Sequence, residues 1–526
     1  MIFDLAERSD DHRVAADICI VGGGIAGLIA ADRMRRQGRS VLVLESGGRS
    51  DPGGEHPLNA VVNCGQMYHG ASQGRARGLG GTSSRWGGAL IPFLEQDFAA
   101  RPHVGVAGWP IELQDLAPYV TEVEQLFGVD ATSFEENFLD QGPTRGSTPR
   151  FDSDVLLRFA KWPGFRRRNV ATLLRDRLET DPGLSVWLNA TVVSFDADTA
   201  SGRLGSVTAR ALNGRSLRAD ARHFILAAGA IESTRLLLLL QRQTEEKAFE
   251  DCTVLGRGFH DHVSTAAASI VVNDPLGLNR LAGFRFHQGT MRSMRFELSP
   301  RAQADEGAAS SFGHIGFETV RPSGFDALRE CLRTLQRSGR LDLAKAFAVA
   351  GDLPYLFSAA WWRFANGQLL WPRGARCSLH IVGEQLPRDD NRIALCDEPD
   401  ALGVPKAAIT WTTGSQEMSA IAAFARRFGA YWERHGMSRI GTLDWRISAH
   451  DNVQPTEVQA NDVFHPGGTT RMGLNRKTSV VDGDLSCHAV SNVWVLSTSA
   501  FPTGASANPT LMLMAFAMRL ADRIGR

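Results

Sequence analysis

The chain has 526 residues and a mass of 57.2 kDa, which exceeds one simple hydrophobic core and favours two domains. Basic and acidic residues each number 57, so no net field attracts nucleic acid or an anionic membrane, and we expect neither as a partner. Hydrophobic residues make up 43% of the chain, as in ordinary globular proteins, but no apolar run is long enough to span a bilayer.

The first seventeen residues, MIFDLAERSDDHRVAAD, are charged and lack the apolar run of a signal peptide. The seven cysteines are scattered, and none form a CxxC pair, which argues against a zinc ribbon or an iron–sulfur cluster. We therefore expect reduced thiols, a cytoplasmic location and no bound metal.

The stretch DICIVGGGIAGLIAADRMRRQGRSVLVLES predicts a dinucleotide site. A strand over 17–21 leads into a GxGxxG turn, a helix over 25–37 follows, and a second strand over 41–44 ends at Glu45. The glycines allow a tight turn, a close approach to a pyrophosphate and helix packing on the strand. The acid disfavours a 2′-phosphate, so FAD or NAD is expected rather than NADP. The predicted contacts are Gly22, Gly24, Ile25, Ala26, Gly27, Glu45 and Ser46.

Residues 79–89, LGGTSSRWGGA, place four glycines and small hydroxylic residues around one tryptophan, a composition that suits close contact with a flat polar ring. This stretch resembles the second FAD-contact loop of the glucose–methanol–choline (GMC) oxidoreductase family, most closely in the pyranose oxidase branch. There a Ser-Thr-His-Trp run bonds the flavin covalently, but Arg85 stands in the histidine's place, so the resemblance implies non-covalent FAD. The implied contacts are Gly81, Thr82, Arg85, Trp86, Gly87, Gly88 and Ala89.

The middle of the chain adds weaker signals. Residues 103–129 resemble the family's Trp-Pro element followed by an amphipathic helix that starts near residue 114. Residues 184–229 have strand patterns, and a helix is expected over 232–240. The resemblance implies that Val192 meets the adenine and that Ala228 and Gly229 lie near the FAD backbone.

Histidines at 260 and 262 flank Asp261, but two histidines and one acid are too few for a closed metal site, so a structural hydrogen-bonded role is expected.

Residues 353–371 lack a single apolar face, which predicts a buried or cleft-lining helix. Residues 377–405 resemble the family's substrate-domain strand and hairpin. Side chains there are equally able to lie on the sheet surface or to contact substrate, and the candidate contacts are His380, Glu384 and Gln385.

The C-terminal stretches FHPGGTTRMG, VVDGDL and VWVLSTSAFPTGASANPT match the GMC signature in order. In that family the catalytic pair lies at the positions of His465 and Asn508. Asn508 before a proline is also typical of a helix N-cap, and the two roles are compatible. We expect the glycines and threonines after His465 to pack around a flat ring, and a buried strand over 493–496. Other implied FAD contacts are Ser497, which replaces an aspartate of many relatives, Thr498, Pro509 and Thr510, with Asn508 itself.

The resemblance implies an α/β fold, α+β overall. A Rossmann-like FAD-binding domain covers 1–100, 151–262 and 448–526, and a substrate-binding domain built on an antiparallel sheet covers 101–150 and 263–447.

The implied reaction oxidises CH–OH to C=O, with hydride passing to flavin N5 and His465 as base, since a neutral imidazole takes a hydroxyl proton near neutral pH. We expect a sugar, glycoside or aminoglycoside-like substrate and O2 or another electron acceptor. The alternatives are a non-sugar alcohol, an NAD-linked dehydrogenase and a redox-inactive FAD-binding scaffold.

Overall fold

The structure is a computed structural model that describes residues 1–135, 151–319, 324–338, 352–372, 374–447 and 460–524. Residues 136–150 and 448–459, which include parts of both expected domains, lie outside the described residues.

An eight-stranded sheet carries the glycine turn. Its strand His12–Val21 is longer than the predicted 17–21 and lies between two parallel neighbours, so the turn after Val21 opens at the carboxyl edge of the sheet. The last two strands of the sheet pair antiparallel. The order is Ile2–Asp4, Leu184–Leu188, Val41–Leu44, His12–Val21, Ser216–Leu226, Arg203–Arg210 and Thr191–Asp198, and Val493–Val495 also pairs with Ser216–Leu226.

Two helices begin at the carboxyl edge of this sheet, where their N-termini can face a ligand. Ile25–Arg36 follows the glycine turn directly, and Thr510–Arg523 packs against it through the buried core of the domain. Ala117–Phe127 packs in turn on Thr510–Arg523 and begins three residues later than the sequence indicated. Ala230–Gln243 follows the strand Ser216–Leu226 and extends past both ends of the predicted 232–240.

A second sheet of eight strands is antiparallel throughout, which confirms the predicted fold class. One domain assignment needs correction, because the strand Val155–Trp162, predicted for the FAD-binding domain, pairs along its whole length with Thr290–Leu298 in this second sheet. The strands are Arg285–His287, Thr290–Leu298, Ser311–Glu318, Arg376–Glu384, His262–Val272 and Gly441–Trp445 in that order, with Val155–Trp162 and Asn461–Asp462 attached. A small third sheet contains Arg392–Pro399, Pro405–Thr410 and Val61–Asn63.

The helix Leu353–Asn366 was predicted to be buried or cleft-lining, and this prediction is wrong. None of its described side chains is buried, and one face exposes Leu353, Phe357, Trp361 and Phe364 by 63%, 81%, 72% and 88%. The helix contacts the protein mainly from its other side, where the Arg363 guanidinium lies over the Phe286 ring. Apolar residues all around a helix therefore did not mean burial here, because one face of the helix stays exposed among the described residues.

The remaining α-helices of the described residues cover the second sheet or connect the layers. They are Glu95–Phe98, Phe165–Arg168, Val170–Leu173, Arg175–Thr180, Pro275–Ala282, Pro300–Glu306, Gly324–Ser338 and Ser415–Arg434. Among the described helices, none has both the length and the apolar character needed to cross a membrane.

Candidate active site

The glycine turn has the geometry that a dinucleotide requires. A Cβ on Gly22 would lie 2.5 Å from the Ala227 carbonyl oxygen, and one on Gly27 would lie 2.1 Å from the Gly22 oxygen, so neither position accepts a side chain. A Cβ on Gly24 would meet nothing within 4 Å, because this residue faces open space. Gly24 is also the N-cap of Ile25–Arg36 and has no side-chain cap, which leaves the helix N-terminus available to a phosphate.

Glu45 ends the strand Val41–Leu44, as predicted, but its carboxylate already has protein partners. One oxygen accepts from the Gly23 amide at 2.8 Å, and the other accepts from Gly47 at 2.8 Å and Gly78 at 3.1 Å. Burial raises the pKa of Glu45, while these amides act in the opposite direction. The residue thus ties the glycine turn to two further loops, and a ribose contact at Glu45 stays a prediction.

Two adjacent cavities lie beside these loops and share part of their lining. The nucleotide cavity, of about 240 Å³, lies between the glycine turn and the helix Thr510–Arg523, and the outer cavity, of about 1500 Å³, opens beside it. Both are lined by Trp86, His465 and Thr510, so an extended ligand can occupy the two together. The nucleotide cavity receives the predicted contacts Gly22, Gly24, Ile25, Ala26, Glu45, Ser46, Gly81, Thr82, Val192, Ala228, Gly229, Ser497, Thr498 and Pro509.

The outer cavity receives the rest of the predicted flavin loop together with the proposed catalytic pair. Arg85, which replaces the histidine of the covalent flavoproteins, forms an ion pair with Asp51 at the cavity wall. The predicted residues that line this cavity are Arg85, Gly87, Gly88, Ala89, His465 and Asn508. Of the predicted cofactor residues, Gly27 lines neither cavity, because its role is helix packing.

These observations fit FAD. The nucleotide cavity has a glycine turn without side chains, and the N-terminus of Thr510–Arg523 also has no side-chain cap and points into the same space. Gly229 adds a second backbone segment at which a Cβ would meet nothing within 4 Å. Two uncapped helix N-termini and bare backbone suit the pyrophosphate and the pyrimidine edge of a flavin.

The turn that carries His465 packs against the imidazole ring of His260. A Cβ on Gly467 would lie 2.6 Å from the His260 ring, and one on Gly468 would lie 2.1 Å from the Gly258 oxygen. Neither glycine lines the nucleotide cavity or the outer cavity, and the ring beside both of them is the imidazole of His260. The following threonines, Thr469 and Thr470, bond to hydroxyls on neighbouring elements and fix the turn.

His465 lies at the cavity wall with both ring nitrogens hydrogen-bonded. Its Nδ1 is 2.9 Å from Nδ1 of His262, and its Nε2 is 3.2 Å from the side-chain nitrogen of Asn508. Burial lowers the pKa of His465 well below its ordinary value, and the neighbouring His262 and Arg295 lower it further. The imidazole is therefore neutral at physiological pH, the form that a general base requires.

Asn508 does not cap the helix, so that part of the prediction is wrong. Pro509 occupies the N-cap position of Thr510–Arg523, and the Asn508 side chain turns instead toward His465. A proline at the cap fixes the helix start through its backbone alone, which frees the amide for the cavity.

Asp261 connects the two histidine-bearing segments, in agreement with the hydrogen-bonded role expected for the HDH stretch. Its Oδ1 accepts from the backbone amides of His262 at 2.6 Å and His465 at 2.9 Å, and Tyr68 donates to Oδ2 at 2.6 Å. Burial raises the pKa of Asp261 to about 7. Asp261, His262 and His465 are near enough to share a metal ion, but these hydrogen bonds account for their arrangement, and the absence of a metal stays a prediction.

The three predicted substrate contacts lie away from the cavities. Glu384 is 1% exposed and forms an ion pair with Arg101, and Gln385 is fully buried against the Asp261 amide. His380 bonds to Ser378 and stacks on another histidine of the same sheet. None of the three lines either cavity: His380 and Glu384 belong to the strand Arg376–Glu384, which has a neighbouring strand on each side, and Gln385 directly follows that strand.

Comparisons with known proteins agree with this geometry. Residues 387–517 match the GMC oxidoreductase family, and residues 20–68 match an NAD(P)-binding Rossmann-like domain. The chain is similar to paromamine 6'-oxidase of Streptomyces fradiae, at 25% identity over 98% of this chain and 92% of that protein. It is similar to the fructose dehydrogenase large subunit of Gluconobacter japonicus, at 22% identity over 98% of each.

A solved structure has the same fold. Pyridoxine 4-oxidase from Mesorbium loti superposes with a TM-score of 0.57 at 17% identity, over 97% of this chain and 99% of that one. The matched C-terminal region contains both His465 and Asn508, which the structure brings together at the cavity wall. The chain therefore contains the C-terminal domain of the GMC oxidoreductase family, and its cofactor is FAD.

Proposed function

We propose that the protein oxidises a CH–OH group of a sugar, glycoside or aminoglycoside-like substrate to a carbonyl. The observation that carries the proposal is the pairing of His465 Nε2 with the Asn508 amide at a cavity wall that also carries the flavin loop. The substrate class is supported by the relatives, whose names specify paromamine and fructose, and by an outer cavity of about 1500 Å³ with room for a glycoside.

His465 and Asn508 have different roles toward the substrate hydroxyl. Bound FAD supplies the hydride acceptor at N5. His465 is neutral and accepts the hydroxyl proton at Nε2, which an imidazolium could not do. The Asn508 amide can hold the hydroxyl oxygen in line with that nitrogen without competing for the proton.

The proposal has three finer features: the branch of the family, the way FAD is held and the location of the protein. The loop that contains Trp86 supports a place near the pyranose oxidase branch. Non-covalent binding of FAD is supported by Arg85, because its guanidinium is not a nucleophile that could bond the flavin and it forms an ion pair with Asp51. A cytoplasmic location is supported by the seven cysteines, all of which are free thiols.

An anaerobic screen of sugars, glycosides, aminoglycosides and simple alcohols, scored by bleaching of the flavin absorbance, tests the function. Rapid bleaching by a sugar or glycoside is the expected result, and admission of air then shows whether O2 accepts the electrons. Bleaching by simple alcohols alone would move the substrate class to non-sugar alcohols. A purified protein without flavin absorbance would indicate the NAD-linked alternative, and a flavin that no alcohol reduces would indicate a scaffold.

A further inference from the structure

A second histidine lies directly behind the proposed base. His262 begins the strand His262–Val272, is 2% exposed, and has its ring perpendicular to that of His465 at a centroid distance of 5.1 Å. Its Nδ1 lies 2.9 Å from Nδ1 of His465, and its Nε2 lies 2.7 Å from the carbonyl oxygen of Ala505. The three groups thus form a continuous hydrogen-bonded row that ends at the cavity wall.

The positions of the protons in this row follow from the partners. A carbonyl oxygen only accepts, so Nε2 of His262 carries a proton, and in the neutral ring its Nδ1 is then an acceptor. The proton between the two rings must therefore belong to Nδ1 of His465. That tautomer leaves a lone pair on Nε2 of His465, the nitrogen that faces Asn508. The opposite arrangement would place two lone pairs against each other at the carbonyl and is disfavoured.

Ala505 is itself fixed from two sides, which makes the row rigid. Its backbone has a φ of 53°, in the left-handed region that a residue with a Cβ rarely adopts. The Ala505 amide donates to Glu384 at 2.9 Å, while its carbonyl accepts from His262. Glu384 is held by Arg101 and lies opposite His262 in the sheet register. The carbonyl that selects the His262 tautomer therefore cannot easily turn away.

We propose that His262 is a positioning residue that selects the tautomer of His465 and thereby presents an unprotonated Nε2 to the substrate hydroxyl, an inference that rests on the proposed function. When His465 takes the hydroxyl proton at Nε2, it carries protons on both nitrogens and one positive charge. The Nδ1–H bond to the neutral His262 ring then becomes charge-assisted and stronger. No covalent bond of His262 breaks in this step.

The variant His262→Phe keeps a ring of similar size and removes the acceptor. We expect the rate constant of anaerobic flavin reduction to fall about 10²-fold, while the apparent substrate Kd changes less than about threefold. His262→Asn can offer its side-chain oxygen to Nδ1 of His465 and is expected to recover at least about tenfold of that loss. His223→Phe, which removes a partly buried histidine of the nucleotide-domain sheet far from His465, is the control and is expected to stay within about twofold of the parent.

A double variant separates positioning from general loss of structure. If His262 acts through His465, the pair His262→Phe and His465→Ala reduces flavin no more slowly than His465→Ala alone. The proposal would be overturned if the double variant reduced flavin about 10²-fold more slowly than His465→Ala. It would also be overturned if the single variant His262→Phe reduced flavin within about twofold of the parental rate. Normal reduction in His465→Ala would instead overturn the proposed function, so the two failures are distinguishable.

A measurement on the unaltered holoenzyme keeps the test independent of folding. Two-bond ¹⁵N–¹H correlation spectra of histidine-labelled protein report which ring nitrogen carries the proton. With the His465 signals assigned by their loss in His465→Ala, we expect the Nδ1–H form. Observation of the Nε2–H form at His465 would refute the tautomer assignment whatever the variants show.

Discussion

A variant of Glu384 tests whether this carboxylate contacts the substrate or stabilises the fold. The sequence resemblance implied a substrate contact, whereas the structure places Glu384 in a buried ion pair with Arg101. Glu384 and Arg101 are 0% and 4% exposed at their side chains and form a two-pronged ion pair. Glu384→Leu would leave the Arg101 guanidinium buried without its counter-charge. Breaking one side of a buried pair costs about 3–5 kcal/mol.

That cost translates into a shift of the thermal midpoint. For a domain of the size of the substrate-binding part, 1 kcal/mol corresponds to about 2–4 °C, so Glu384→Leu should lower the midpoint by about 6–20 °C. Replacing both partners, as in Arg101→Met with Glu384→Leu, removes the buried charge altogether and should recover most of this loss. Differential scanning calorimetry of the FAD holoenzymes measures both shifts.

The same variants separate stability from substrate binding. We expect Glu384→Leu to lower the midpoint without a specific rise in KM at temperatures where the protein is folded, since Glu384 lines neither cavity. A midpoint within about 2 °C of the parent, combined with a tenfold or larger rise in KM, would refute this reasoning and restore the substrate contact.

Two further predictions concern the base and the cofactor. Because the pKa of His465 lies well below 6.5, its neutral form persists on acidification, so the flavin-reduction rate at pH 5.5 should stay within about twofold of the rate at pH 8. A stopped-flow pH series measures this, and a tenfold loss by pH 5.5, as for a base of ordinary pKa, would contradict it. Heat or acid should release free FAD into the supernatant, since Arg85 occupies the position of the flavin-bonding histidine. Flavin absorbance that remains with the precipitated polypeptide would show a covalent link.

The parts of the site that the sequence predicted well are those in which one short stretch contains the whole geometry. The turn Gly22 to Gly27 is such a case, because the tight turn, the bare backbone and the helix start are all local requirements. The strand Val41–Leu44 has the bounds that the sequence indicated. His465 and Asn508 were found through a family signature, and the structure places their side chains 3.2 Å apart.

The parts that the sequence could not predict depend on pairings between distant segments. His262 meets His465 across 203 residues, and the HDH stretch by itself does not show which ring nitrogen meets which partner. The strand Val155–Trp162 joins a sheet whose partner strand lies more than a hundred residues away. Glu384 alternates in its strand like a surface residue, and only the register with His262 reveals that it is buried.

The central claim is that His465 is the base that removes the hydroxyl proton. Rapid anaerobic mixing of the FAD-bound His465→Ala variant with a substrate identified in the screen tests it most directly. We expect FAD content to match the parent and the rate constant of flavin reduction to fall by about 10²–10⁴-fold. Flavin bleaching at a near-parental rate would contradict the claim and remove His465 from the role of base.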